Sequence, residues 1–263
     1  MKPNYKNWMP KGMVAGTGTG AIISFVAFII QDKLSLFGDG KLGKAVRLTA
    51  LVLTIVLFPV TIWMILMYRA FSYNGKRQLS KHIIEGIADY VDIPDEGKGL
   101  DVGCGSGALT IACAKRNHKA TMIGIDRWGK EYASFSKELC ESNSKAEGVN
   151  NTAFEKGDAL KLPYRNETFD AVTSNYVYHN IPSRDRQSIL LETLRTLKKG
   201  GTFAIHDIMS KGRYGDMDAF AEKLRDMGYA EVRLIDTTDG KFMSRFEALW
   251  MELSGSKLLV GRK

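Results

Sequence analysis

The sequence predicts an α/β domain built on a doubly wound, mostly parallel sheet and preceded by two apolar helices. Three observations predict it. The chain carries no charged residue over 12–31 or over 48–68, and each stretch as a helix is long enough to cross a hydrocarbon layer of roughly 30 Å. From Gly99 onward short apolar runs alternate with helical patterns, which implies a parallel sheet covered on both faces and joined by right-handed crossovers. The first run leads into "LDVGCGSGALT", Leu100–Thr110, with Gly103, Gly105 and Gly107 at alternate positions before a helix. Sheets of this kind bind ligands at that point, beyond the carboxyl ends of their strands.

The two apolar stretches read as membrane-spanning helices, about 12–31 and 48–68, of an anchor covering 1–71. Ile29, Ile30, Gln31 and Asp32 offer no small-residue cleavage site after the first, so a removable signal peptide is disfavoured. The second is too long for an ordinary core helix. Gly12, Gly16 and Gly20 recur every four residues on one face, a packing surface through which two copies could dimerise. "GTGTG" is followed by no Lys-Ser or Lys-Thr, so helix packing explains it better than phosphate binding. Pro59 should bend the second helix, and Trp63 and Tyr68 suit a membrane-water boundary. Lys2, Lys6, Lys11, Arg69, Lys76, Arg77 and Lys81 flank the hairpin, against Lys33, Lys41, Lys44 and Arg47 between its helices. The positive-inside rule therefore expects a two-pass protein with both termini and the large domain cytoplasmic.

The net charge of +8 is concentrated in residues 1–68, which carry seven basic and two acidic side chains. The basic balance thus belongs to the membrane flanks, and no nucleic-acid partner is expected. Cys104, Cys113 and Cys140 have neither metal-ligand spacing nor an even count, which suits small core residues in a reducing compartment and no bound metal.

Leu79, Ile83, Ile84, Ile87, Ala88 and Val91 fall at helical spacing and predict an amphipathic linker helix within 72–98. The domain proper is expected over 99–263. Strands are expected at "GLDVG", "ATMIGID", "TAFEKGD", "FDAVTSN", "GTFAIHD" and "EVRLID", with helices over 108–117, 129–147, 184–198 and 216–228.

The glycine motif by itself fits two ligands. Gly103, Gly105 and Ala108 satisfy a dinucleotide fingerprint, while Asp101, Gly103, Gly105 and Gly107 satisfy the D-x-G-x-G-x-G pattern of a methyl donor site. Electrostatics favours the second. The strand ends carry Asp101, Asp126 and Asp158, and no Lys or Arg occurs over 99–114. Such a notch opposes a pyrophosphate and suits S-adenosylmethionine, which brings a sulfonium and an ammonium against one carboxylate.

The segments "LDVGCGSG", "GID", "GDALKLPYRNETFDAVTSNYVYHNI" and "LKKGGTFAIHD" resemble the class I S-adenosylmethionine-dependent methyltransferases, especially the ubiquinone and menaquinone C-methyltransferase branch. The resemblance covers roughly 98–210. It implies a Rossmann-like seven-stranded sheet of order 3-2-1-4-5-7-6, with "EVRLIDT" and "SKLLVGRK" as a closing antiparallel pair. It also implies roles for site residues. Asp101 would lie near the methionine amino group, and Gly103, Gly105 and Gly107 would admit the donor to the main chain. Asp126 would accept from the ribose hydroxyls, Arg127 or Trp128 would flank the adenine, and Asp158 with Ala159 would meet its amino group. Asn175 would lie near the transferable methyl. The transmembrane hairpin departs from the quinone enzymes.

Methyl transfer to a hydroxyl or an activated carbon needs a base. The candidates are His179 in "YVYHN" and His206 with Asp207 in "FAIHD", while Tyr176, Tyr178 and Tyr214 could orient an acceptor. Membrane tethering points to a small-molecule or lipid acceptor that partitions into the bilayer. Two alternatives stand beside an anchored methyltransferase: an NAD-dependent oxidoreductase of related fold, and a non-catalytic, donor-binding membrane scaffold. The stretch 240–255 reads as a helix-like insertion, with Arg245 and Trp250 as candidate bilayer contacts.

Overall fold

The computed structural model describes residues 2–129 and 134–263. They form two compact units, Asn7–Ser80 on one side and the residues up to Lys6 together with Lys81–Lys263 on the other. In the smaller unit α1 (Lys11–Leu34) and α2 (Lys41–Phe71) make an antiparallel hairpin. Both outrun their charge-free stretches, because a Lys or Arg ends apolar composition without ending a helix. Each is long and apolar enough to cross a membrane, and only 11% and 17% of their most apolar windows are buried, whereas a soluble core helix would be mostly buried.

Gln31 builds the turn of this hairpin. Its amide donates to the Gly38 carbonyl at 3.0 Å and its carbonyl accepts from Phe37 N–H at 3.0 Å. A Cβ at Gly43 would stand 1.8 Å from that same Gly38 oxygen, so α2 can begin there only with glycine. Along the seam, a Cβ at Gly20 would lie 3.4 Å from Leu57, and one at Gly18 would lie 3.5 Å from Thr61. The predicted glycine face is thus split: Gly20 faces α2, while Gly12 and Gly16 have nothing within 4 Å. Pro59 removes one rung of the α2 ladder, and the helix continues through it to Phe71.

The larger unit is a seven-stranded sheet of order β3-β2-β1-β4-β5-β7-β6, the expected architecture. Its strands are β1 (Lys98–Val102), β2 (Thr121–Asp126), β3 (Thr152–Lys156), β4 (Phe169–Asn175), β5 (Leu197–Ile208), β6 (Ala230–Asp236) and β7 (Ser256–Arg262). β1 to β5 pair in parallel, and β7 runs antiparallel to both β5 and β6. The helices are α3 (Leu79–Ala88), α4 (Ala108–Arg116), α5 (Lys137–Ala146), α6 (Arg186–Arg195), α7 (Lys211–Tyr214), α8 (Met217–Asp226) and α9 (Arg245–Trp250).

Several boundaries differ from expectation for local reasons. The helix expected over 129–147 begins only at Lys137, where the Ser136 hydroxyl caps Leu139 N–H; residues 130–133 of that expectation lie outside the described residues. The helix expected to reach 198 stops at Arg195, because Leu197 pairs with Phe169 and draws the chain into β5. The linker helix is confined to α3. The core is continuous, with Leu100, Val172, Phe203, Ile205 and Leu259 from the sheet packed against Leu190, Leu194, Phe220 and Leu224 from α6 and α8. Residues 2–6 belong to this unit through α5: Asn4 N–H donates to Asn143 Oδ1 at 2.7 Å, and Tyr5 donates to Glu147 at 3.1 Å.

Candidate active site

The turn after β1 brings its three glycines into three different surroundings. All have positive φ, at 74°, 55° and 80° for Gly103, Gly105 and Gly107. A Cβ at Gly103 would meet Val177 at 2.2 Å, and one at Gly107 would meet Phe154 at 3.1 Å. At Gly105 the nearest atom would be on Phe135 at 3.8 Å. Gly103 and Gly107 therefore permit close packing, whereas Gly105 leaves room over the main chain that a ligand can use. The Gly105 peptide is held from both ends. Its N–H donates to Asp126 at 2.9 Å, and its carbonyl accepts from Trp128 Nε1 at 3.0 Å and Cys140 Sγ at 3.2 Å.

Asp126 ends β2 half-buried, and its other oxygen accepts from Trp128 N–H at 2.8 Å. Each carboxylate oxygen keeps a second lone pair for a ligand hydroxyl. Trp128 adopts φ 44°, a strained value for a bulky residue and one that turns its indole back over the glycine turn. Arg127 is exposed beside it. Asp158 is also exposed and accepts from Leu160 N–H at 2.9 Å, shaping the turn that carries half-buried Ala159.

Asp101 lies deeper than its expected role suggests. It is 1% exposed beneath the turn, bonded by Thr110 at 2.6 Å and Thr173 at 3.0 Å. Burial pushes its carboxyl up to about 6, against the lowering effect of the two hydroxyls. Neither threonine stands out in the sequence, because their only signal is a long-range contact. The same is true of Asn143, whose amide donates to the Ser106 carbonyl at 2.9 Å and so ties α5 to the turn.

At the ends of β4 and β5 the structure brings His179 and Asp207 together. His179 Nδ1 lies 2.5 Å from Asp207 Oδ1, and His179 N–H donates to Oδ2 at 3.1 Å. Asp207 is 0% exposed and also accepts from Ile208 N–H at 2.7 Å and the Tyr214 hydroxyl at 2.9 Å. Burial alone would raise its pKa, but the donors from His179 and Tyr214 hold the carboxyl below its usual range. A carboxylate on Nδ1 fixes the tautomer with its proton there, leaving the Nε2 lone pair of a partly exposed ring.

His206 has the opposite character. It is 0% exposed, its Nδ1 lies 2.8 Å from Asn175 Oδ1, and its Nε2 lies 2.9 Å from Thr237 Oγ1. Burial pushes its pKa down to about 3, so the ring is neutral at physiological pH with both nitrogens engaged. The tyrosines also divide. Tyr178 is fully buried against Thr193, and Tyr214 is spent on Asp207. Tyr176, at φ 53° at the end of β4, is 2.8 Å from Ser256 Oγ. Cys104 and Cys113 are buried thiols whose pKa burial pushes up, which keeps them inert. Among the described residues no cluster of His, Cys, Asp or Glu could hold a metal.

A family model described as "Methyltransferase domain" matches residues 94–243. The 27-O-demethylrifamycin SV methyltransferase of Amycolatopsis mediterranei is 31% identical over 137 residues, 52% of this chain and 47% of that protein. The demethylmenaquinone methyltransferase of Lactobacillus johnsonii is 36% identical over 107 residues, 40% of this chain and 41% of that protein. The chain thus spans about half the length of the curated relatives it matches. Among solved structures, SpnF, a 4+2 cyclase, aligns with TM-score 0.54 at 18% identity over 71% of this chain and 82% of its own. The geranyl diphosphate C-methyltransferase of Streptomyces coelicolor aligns with TM-score 0.55 at 14% identity, over 74% and 83%. At those identities the structures speak to fold alone.

Proposed function

The chain belongs to the methyltransferase-domain family, and from that premise we propose that it is a membrane-anchored enzyme that methylates an apolar, membrane-partitioned small molecule or lipid. Its cofactor is S-adenosylmethionine, which supplies an electrophilic sulfonium methyl. The residues present fit it: open backbone at Gly105, lone pairs on Asp126, and carboxylates rather than cations around the notch. Asp126 binds the ribose hydroxyls, Asp158 and Ala159 meet the adenine, Arg127 or Trp128 covers it, and Asp101 braces the turn from beneath. The oxidoreductase alternative is not favoured, since the family and the curated relatives are methyltransferases.

The observation that carries the chemistry is the His179–Asp207 pair at 2.5 Å. With the donor bound, His179 Nε2 would take the proton that the acceptor hydroxyl or acidic carbon gives up on methylation. Asp207 stabilises the imidazolium that results. His206 acts by position, keeping Asn175 turned at the strand end, and takes no proton itself. Two helices able to span a bilayer support the anchor, and residues 2–6 grouping with the domain that starts at Lys81 supports both flanks lying on one side.

The test is a radiolabelled methyl transfer into membrane extracts by the full chain, paired with calorimetric titration of S-adenosylmethionine and NADH. Label in an organic-soluble product and binding of the sulfonium donor are expected. Label confined to soluble protein or RNA would overturn the acceptor class. Tight donor binding with no turnover on any acceptor would return the scaffold reading.

A further inference from the structure

α6 opens with a residue that helix stability does not ask for. Arg186 stands at its first position, where the positive end of the helix dipole disfavours a cation. Capping is left to its neighbour, for Asp185 accepts from Ser188 N–H at 3.0 Å. The half-buried guanidinium turns instead to main-chain carbonyls. Its Nε donates to Tyr178 at 3.1 Å, and its Nη2 donates to Ile181 at 3.1 Å and to His179 at 3.4 Å. Its Nη1 reaches across to the Arg213 carbonyl on α7 at 3.0 Å. Gln187, next along, donates to the carbonyls of Tyr214 at 2.9 Å and Asp216 at 3.2 Å. The start of α6 thus clasps the short turn Tyr178–Asn180 on one side and α7 on the other.

These bonds close a ring around the histidine. Asp207 holds the His179 imidazole and accepts from the Tyr214 hydroxyl at the end of α7. The Arg213 carbonyl of α7 accepts from Arg186, and Arg186 returns to the carbonyls of Tyr178, His179 and Ile181. The base is therefore fixed through its side chain by one residue and through its main chain by another. Only a guanidinium suits this place. Its Nε and Nη2 lie on one edge of a rigid plane and face the turn, while Nη1 is free to reach α7. A lysine offers three donors at a single point and no such span. Arginine also keeps its proton, so it takes none from the acceptor.

We infer that Arg186 is a positioning residue for methyl transfer: it holds the turn Tyr178–Asn180 against α7, so that His179 Nε2 stays within reach of the acceptor. The inference rests on the reading of His179 as the base and adds the group that aims it. Proton transfer needs the two heavy atoms at hydrogen-bond separation, and a misplacement of about 1 Å can cost on the order of 100-fold in rate. The donor side is held separately. The glycine turn is tied by Asp126 and by Cys140 and Asn143 of α5, none of which Arg186 bonds.

The test uses the full chain with radiolabelled S-adenosylmethionine and membrane extract as the source of acceptor. Arg186→Ala and Arg186→Lys should each lower the rate at saturating donor by about 10–100-fold, with the calorimetric affinity for S-adenosylmethionine within about twofold of the parent. Arg186→Lys keeps the charge and the aliphatic stem, so it tests the fork even where alanine unsettles the turn. Millimolar guanidinium should restore part of the rate to Arg186→Ala. A double-mutant cycle gives the readout that a merely structural role would not move: in the His179→Gln background, Arg186→Ala should cost nothing further. A second readout needs no acceptor. In the detergent-solubilised chain, isotope-labelled at histidine, the Nδ1 proton shared with Asp207 is assigned by its loss in His179→Gln, and it should shift or broaden in both Arg186 variants. Parental rates in the two variants, an unmoved Nδ1 proton, a further loss in the His179→Gln background, or a donor affinity that falls in step with the rate would each overturn the inference and leave His179 as the base. Unimpaired transfer by His179→Gln would overturn the base, and the inference with it.

Discussion

On the proposed mechanism His179 and Asp207 act as a unit, so their variants should fail together. His179→Gln removes the lone pair, and Asp207→Asn loses the carboxylate that fixes the tautomer; each should lower kcat by about 10²–10⁴. S-adenosylmethionine affinity, measured by calorimetry, should stay within a few fold, because neither residue lies on the glycine turn. Equal losses of kcat and donor affinity would reassign the pair to binding. The turn itself offers a sharper contrast. Gly105→Ala meets only Phe135 at 3.8 Å, so it should cost about 1 kcal/mol of stability from the positive φ while weakening donor binding by about tenfold or more. Gly103→Ala drives a methyl to 2.2 Å from Val177 and should instead cost more than about 2 kcal/mol in unfolding. Asp101 gives a pH prediction. Its carboxyl, raised by burial to about 6, binds a proton more tightly folded than unfolded. Its stabilising contribution is therefore full below the unfolded value of 3.8 and lost as pH rises through about 6. Relative to the parent, Asp101→Asn should gain about 2 kcal/mol between pH 4 and pH 7. Denaturant unfolding of the detergent-solubilised chain at the two pH values measures it, and a pH-independent difference would contradict it.

At the scale of elements, the sheet was legible because each strand is a short apolar run bounded by turn residues, a signal contained within the strand itself. The glycine turn and the aspartates at strand ends were legible for the same reason. What escaped was whatever depends on a partner far along the chain. Thr110 and Thr173 look like ordinary helix and strand residues until the fold brings them to Asp101, and Tyr178 reads as an acceptor contact until α6 covers it. His206 is the same case: "HD" suggests a catalytic pair, yet strand alternation sends the two side chains to opposite faces of β5. Asp207 reaches His179, while the His206 imidazole is locked between Asn175 and Thr237. The β6–β7 pair should therefore stabilise the site edge through that lock. Thr237→Val leaves His206 Nε2 and the Ser256 carbonyl without the hydroxyl they share, a loss of about 1–3 kcal/mol in thermal or denaturant unfolding. Because His206 is held neutral down to about pH 3, that loss should be constant across pH 5 to 8. A loss that changed with pH in that range would mean that the ring titrates after all.

For the whole molecule, the proposed anchoring has a kinetic consequence. The larger unit takes residues from both sides of the hairpin in sequence, those up to Lys6 and again those from Lys81. On that proposal the enzyme would sample its acceptor in two dimensions, and the concentration governing its rate would be the mole fraction of acceptor in the bilayer. With the full chain reconstituted in vesicles carrying an extracted apolar acceptor, adding inert phospholipid at constant total acceptor should lower the initial rate in proportion to dilution. Adding buffer at constant lipid composition should leave the rate per enzyme unchanged. A water-soluble acceptor would give the reverse pattern, because its encounter rate follows bulk concentration and is blind to surface dilution. That reversal would remove the membrane from the catalytic cycle and leave α1 and α2 as a means of localisation only.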